Sequence, residues 1–521
     1  MCLILLFWCK SMFVRFTLFK PAVTFNKSKV VFMRVCYNLI LFLFIVSLCS
    51  DTTENKRVSY EKKSIKEFGA RGDGKTNDQA AFEKAATYFK ERKGNGKLII
   101  PKGVYIVGVQ DNYSKTQSNA FTGKNVLDLK DCSDFTLEGR GAVIKYADSL
   151  KFGAFDPTTG KSFSSSAAVF TEYKFAAFIG YPINLKNCTN IFIRGIEIDG
   201  NQKGMILGGK FGDHGFQLPH DGIFIDNCTN VSIDKVNIHH MGRDGIQIVN
   251  LTPQGKSTPD QHITITNSVF EYNARQGLSW TGGSGLKVKN SKFNHTGRGR
   301  FVSAPAAGVD IEAERGIITN GIFESCEFFD NNACGLVADS GPSSDMQFNN
   351  CTFWGTTNWS MWTTKPNYNF YRCNFYGSIV HGYDSPTTKD ATKFIRCNFE
   401  EKNYKGVPSY GKYLVEVNFV RRILFDSCTF TSYTKKLWWF DGPPNQWTED
   451  ERPLMKNAHI IARMTNFKEG DFISVKNCLK ESGSTYDLYY PKTKRYSESG
   501  GFYIDGGNNK LVWKDSTQKS K

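Results

Sequence analysis

The sequence predicts an all-β solenoid, a parallel β-helix closed at one end by a single capping helix, and three observations carry that prediction. A short unit recurs: GIFESCEF around Cys326, MQFNNCTF around Cys351, YNFYRCNF around Cys373, TKFIRCNF around Cys397 and ILFDSCTF around Cys428. Ser268 and Ser291 fill the same slot in ITITNSVF and LKVKNSKF, and the slot returns every 22 to 35 residues. Units of this length made only of strands and turns stack into solenoids. The chain also holds 42 Phe in a composition that is 22% charged, so the rings belong inside a stack. Hairpin signals are scarce, which argues against the four-stranded blades of a propeller.

Taken along its 521 residues, the chain opens with a leader. Residues 1–50 carry six basic and no acidic side chains, and Arg34 precedes a short apolar run, Leu39 to Leu48, too short for a comfortable membrane span. This reads as export machinery, with Met33 a candidate start and Cys49 a candidate lipid attachment point. The expected location is secreted, periplasmic or cell-surface. Removing the leader lowers the net charge from +16 to +10, spread without basic blocks. Nucleic acid is therefore a poor partner, and an anionic polysaccharide fits the positive balance better.

Residues 51–110 read as an N-terminal cap. SIKEFGARGDGKTNDQAAFEKAA, Ser64–Ala86, leads through Thr76-Asn77-Asp78, which offer N-cap chemistry, into a helix over Gln79–Arg92. Its apolar face is expected to hold Ala80, Phe82, Ala85, Ala86 and Phe89 and to cover the open end of the coil. GKLIIPKGVYIV follows at Gly96–Val107. In order, Phe-Gly-Ala, Gly-Asp-Gly, Asp-x-x-Ala and Ile-Pro-x-Gly-x-Tyr, these roughly 45 residues resemble the opening of the pectate lyase superfamily, the pectate lyase 3 or rhamnogalacturonase/epimerase-like group. The resemblance implies a right-handed coil and an extracellular polysaccharide as the usual target. It leaves the reaction open, because one fold serves many chemistries.

Residues 111–430 are expected to form the coil and 431–521 the last rungs and a C-terminal cap. The ten cysteines beyond the leader read as packing slots, since Ser substitutes for Cys; Cys132, Cys188 and Cys228 mark a second such slot. Asn187, Asn227 and Asn350, although in sequons, read as turn residues.

Five rungs share an x-Gly-apolar-x-apolar-x strand: DGIFID, DGIQIV, QGLSWT, AGVDIE and CGLVAD, beginning at Asp221, Asp244, Gln276, Ala307 and Cys334. With the apolar positions inward, their other positions are expected to line a polar outer face. Asp310 and Glu312 lie two residues apart on that face, about 6.6–6.8 Å between Cα atoms, and Asp244 two rungs earlier, about 9.5 Å along the axis. Carboxylates this close drive their pKa values apart, one becoming acid and the other base. Asp310, Glu312 and Asp244 are the candidate catalytic residues. Arg275, Gln276, Gln247, His240, Arg243 and His295 are the candidate substrate-binding residues. Trp280 is in phase with the core. His239-His240 has no carboxylate or thiol at metal-ligand spacing along the chain, so no metal site is expected. Ser279 lacks a His–Asp pair.

Three functions compete. Glycoside hydrolysis by the paired carboxylates leads and requires no cofactor. Proton abstraction by a polysaccharide lyase or uronate epimerase needs a cation, Arg275 or a Ca²⁺ ion, beside a base such as His239 or His240. A non-catalytic glycan-binding coil needs neither. Trp354, Trp359, Trp362, Trp438 and Trp439 are either sugar-stacking surfaces or core.

Overall fold

The computed structural model describes residues 60–515, apart from 115–116, 214, 250–258, 378–380, 405–409, 444, 464–471, 491–496 and 500–503. The expected leader, with Met33 and Cys49, lies outside the described residues. Within them the chain is a stack of short strands with one α-helix, α1 (Gln79–Glu91).

Helix α1 buries Gln79, Ala81, Phe82, Ala85, Ala86 and Phe89. Ala80 is exposed, contrary to expectation, because it falls on the face of Lys84 and Thr87. Asp78 occupies the N-cap, yet its carboxylate accepts the N–H groups of Arg71 at 2.6 Å and Gly72 at 2.9 Å instead of capping the helix. The Asn77 side chain takes the Gln79 N–H at 3.0 Å. The helix thus plugs the coil while Asp78 ties down the Gly-rich entrance turn. Phe89 meets Phe135 edge-on at 4.8 Å, and Phe82 meets Tyr105 at 5.9 Å.

Parallel pairing starts at Glu61–Ser64 and runs to Lys510–Asp515, so described strands continue the rungs beyond residue 430. One face of the coil is an eight-stranded parallel sheet in chain order: β1 (Leu127–Lys130), β2 (Ile183–Lys186), β3 (Ile223–Asp226), β4 (Asp244–Val249), β5 (Gln276–Trp280), β6 (Ala307–Ile311), β7 (Leu336–Ala338) and β8 (Met361–Thr363). Each rung then turns through two further short strands. Between these, Asn187, Asn227, Asn267, Asn290 and Asn350 adopt φ of 50–53°, a conformation that Asn tolerates better than most residues. Their amides ladder along the axis, Asn227 donating to Asn187 at 3.0 Å. The next residue is the Cys or Ser slot. All ten cysteines among the described residues are free and buried, each packed into the coil.

Inside, phenylalanines stack in two files. Phe323, Phe348, Phe370, Phe394 and Phe425 lie 4.9–5.0 Å apart with rings within 13° of parallel. Phe328, Phe353, Phe375, Phe399 and Phe430 form the second file at 4.5–5.0 Å. These spacings equal the strand repeat, about 4.8 Å, so the backbone ladder dictates the ring stack.

One departure interrupts the coil. Gln110–Ser114, Gln117–Gly123, Lys151–Ala154, Ala176–Phe178 and Ile206–Leu207 form a separate small sheet with antiparallel pairs. This lateral insertion grips the loop leading into β6. Ser303 Oγ accepts the Phe216 N–H at 2.9 Å, and Arg300 Nη1 donates to the carbonyls of Gln202, Lys203 and Met205 at 2.6–3.1 Å.

Candidate active site

The register confirms the alignment of rungs. Asp244 pairs with Gln276 and Gln276 with Ala307; Phe224, Gln247, Ser279, Asp310, Val337 and Trp362 form one continuous column. The expected outer exposure holds for only part of this set. Asp221, Asp244 and Gln276 are fully buried, and Asp310 is 1% exposed. Strand parity explains the first three: Asp244 stands two residues before inward Ile246, so it shares the inward side. The column of Gln247, Ser279 and Asp310 has outward parity, with Gln247 half-buried.

The buried aspartates clamp arginines. Arg243 Nε donates to Asp221 Oδ1 at 2.7 Å and its Nη2 to Oδ2 of the same carboxylate. One rung on, Arg275 makes the same fork with Asp244, at 2.9 and 2.8 Å. Bidentate charge-assisted bonds of this kind fix the guanidinium plane. Held so, Arg243 reaches Gln247 Oε1 at 2.5 Å, and Arg275 reaches Ser279 Oγ at 3.4 Å. Both arginines therefore present one edge to the outward column, and Arg275, the candidate cation for proton abstraction, is paired with Asp244. Asp221 was not singled out as a site residue; its Asp-Gly start, shared with Asp244, was the available signal.

Asp310 is different, because no guanidinium bonds to it. Gln276 Nε2 donates to its Oδ2, while Oδ1 has no hydrogen-bond partner among the described residues. Burial and then the charge of Glu312 push the Asp310 carboxyl well above the usual range, against the pull of Arg275. Glu312, half-buried, is also raised, by burial and by Glu314. Burial raises Asp244 too, against Arg275 and Arg243. Burial thus raises both carboxyls, Asp310 being the deeper of the two.

His220, next to Asp221, is wholly buried; its Nδ1 accepts the Gly242 N–H at 2.8 Å, and burial pushes its pKa down to about 3, so it is neutral. His240 and His295 do not join the carboxylates. They stack on opposite sides of Tyr272, at 5.2 and 4.7 Å, and His295 pairs with Asp330 at 3.2 Å. They belong to the turns that precede the sheet strands. His239-His240 does acquire a carboxylate neighbour: coiling brings Asp199, one rung earlier and in register with His239, to them. The absence of a ligand partner read along the chain is corrected by the stacking of rungs.

Trp280 is buried as expected, its Nε1 donating to Gly282 O at 3.1 Å. Trp438 is also core. Trp359 and Trp362 are half-buried, stacked at 4.1 Å, with His381 against Trp362, and pack on Ala307, Cys334 and Val337 two rungs beyond Asp310. They form an aromatic wall at one end of the column. Two other concavities, of about 560 and 480 Å³, are lined by Arg422 and Lys480 and by Asp260 and Asn320 among others, and share no residue with the carboxylates. No described helix is long and apolar enough to cross a membrane.

A family-model match agrees with this architecture. The family model for the right-handed β-helix region matches residues 157–314 and 213–375. An exopolygalacturonase of Arabidopsis thaliana is 29% identical over 163 residues, 26% of this chain and 36% of that relative. Among solved structures, the A-module of the Azotobacter vinelandii mannuronan C-5 epimerase AlgE6 is 12% identical, with a TM-score of 0.43 over 88% of this chain and all of that one. The N-terminal fragment of bacteriophage Phi29 gene product 12 is 14% identical, with a TM-score of 0.49 over 87% of this chain and 72% of that one. With its parallel rung-to-rung register, its stacked interior and the match of residues 157–375 to that family model, the described chain is a right-handed parallel β-helix.

Proposed function

We propose that this protein is an extracellular glycoside hydrolase that cleaves a polysaccharide laid along the Gln247–Ser279–Asp310 column. The supporting observation is the Asp310–Glu312 pair. A buried carboxyl whose pKa is raised is a proton donor at neutral pH, and a second, more accessible carboxyl two residues away supplies the base or nucleophile. Asp310 protonates the departing glycosidic oxygen. Glu312 activates water or attacks the sugar carbon. Asp244 acts through Arg275 as a positioning residue, orienting the guanidinium beside Ser279. Gln276 holds Asp310, and Gln247 with Arg243 contacts the glycan. The partial likeness to an exopolygalacturonase is consistent with a glycan target.

Proton abstraction by a lyase or epimerase has less support, because both arginines at the column are engaged by buried aspartates. The same pairing means that the positive balance of the chain is not concentrated here, so an anionic substrate rests on overall charge alone.

The test is product analysis on neutral, uronic and sulfated glycans. Hydrolysis predicts new reducing ends without unsaturated uronide absorbance. It also predicts that Asp310→Asn lowers turnover about 10²–10⁴-fold while binding is retained. Unsaturated products would replace this reading with the lyase; Ca²⁺-dependent turnover would point the same way. Binding without turnover on every glycan would leave a non-catalytic coil.

A further inference from the structure

Away from the carboxylate column, where one rung turns into the next, Asp199, His239 and His240 converge. One ligand atom from each lies within 4.8 Å of the others, and all three residues are half-buried. His239 Nδ1 and His240 Nδ1 are 2.8 Å apart, and Asp199 Oδ1 is 3.7 Å from His239 Nδ1. His240 has a left-handed backbone, φ 55°, which turns its ring back toward His239, and stacking on Tyr272 fixes the ring plane.

The far nitrogen of His239 has a carboxylate of its own. Nε2 faces Glu197 Oε1 at 3.4 Å while Nδ1 faces His240 and Asp199, and the tautomer protonated on Nε2 turns the Nδ1 lone pair toward them. A carboxylate behind a histidine is the arrangement that orients imidazole ligands and raises their basicity. Asp199 is oriented as well: Oδ1 accepts the Asn201 N–H at 2.8 Å, and Lys145 lies 3.6 Å from Oδ2, leaving Oδ1 turned to the histidines.

We propose that Asp199, His239 and His240 bind one borderline transition-metal ion, Zn²⁺ or a neighbour in the divalent series, with water completing the shell. Two imidazoles and one carboxylate suit such ions, whereas Ca²⁺ and Mg²⁺ select all-oxygen shells. Asp199 and the histidines belong to consecutive rungs paired in register, so the ion staples two turns of the coil. It is independent of the hydrolase reading, since none of its ligands belongs to the catalytic pair.

The experiment is a calorimetric titration of tag-free, EDTA-stripped full chain with Zn²⁺, with Ca²⁺ in parallel, and thermal unfolding with and without each ion. The expected result is one Zn²⁺ per chain, no Ca²⁺ binding at the same site, and a Zn²⁺-dependent rise in Tm. His240→Ala should remove both effects, and Glu197→Gln, which touches no metal, should weaken Zn²⁺ about 10–100-fold. Thermal unfolding of each variant in EDTA checks that it remains folded. Absence of Zn²⁺ binding to the wild type, or undiminished binding in folded His239→Ala/His240→Ala, would overturn the proposal.

Discussion

Asp310 and Asp244, both buried aspartates two rungs apart and both raised by burial, differ because only Asp244 bonds to a guanidinium. A carboxyl whose folded pKa is raised stabilises the fold fully below its unfolded pKa, and that contribution is lost as pH rises toward the folded value. Asp310→Asn keeps an acceptor for Gln276 and removes the titration. Its Tm is therefore predicted to exceed that of the wild type at neutral and alkaline pH, with the gap shrinking as pH falls toward 4; thermal unfolding across pH measures it. Asp244→Asn instead leaves Arg275 buried against a neutral partner. Chemical denaturation should show a loss of about 3–5 kcal/mol. The nearness of Asp310 and Glu312 was legible from their two-residue spacing, although Glu312 stands just past the end of β6 and not on the same strand. The clamping of Arg243 and Arg275 was not, because Asp221 and Asp244 were assigned to an outer column although their parity with Ile223 and Ile246 points inward. His240 and His295 were misplaced for a related reason: proximity in sequence to Asp244 and Ala307 says nothing about which side of a turn the ring faces.

Each rung is a copied element whose neighbours decide its worth. Cys373 sits between Cys351 and Cys397 in a slot that elsewhere holds Ser268, whose hydroxyl donates to the carbonyl two residues before it at 2.7 Å. Tyr371 O stands at the same offset from Cys373. Cys373→Ser is predicted to cost about 1 kcal/mol, the scale of one exchanged hydrogen bond. Phe375→Ala, two residues away, opens a gap between Phe353 and Phe399 and should cost about 3–5 kcal/mol. Denaturant melts of the two variants separate a tolerant slot from a packing position. The recurrence of both residues made the coil readable. Helix α1 was readable to within one position, Ala80 being drawn to the apolar face by its composition when its turn places it outside. The lateral insertion was not readable, since its strands mix parallel and antiparallel pairs and carry no rung period.

At the scale of the whole molecule, stability rests on nearest-neighbour stacking along one axis, as in other solenoids, with no disulfide among the described residues. Its Tm should be unchanged by a reductant, and the ten described thiols should react with a thiol reagent only on unfolding. A reductant-sensitive Tm would show that cross-links, not stacking, hold the coil. The long parallel sheet runs one column from Phe224 to Trp362 with Asp310 part-way along it, and the proposed cleavage would use that column to hold a chain substrate longer than one sugar. The central claim, that Asp310 is the proton donor in glycoside cleavage, is tested most directly by the pH dependence of kcat/KM on the glycan the protein cleaves. Activity should persist with rising pH beyond the ordinary carboxylate range and fall only when Asp310 loses its proton. A decline that begins near pH 4, where an unperturbed aspartate ionises, would contradict it.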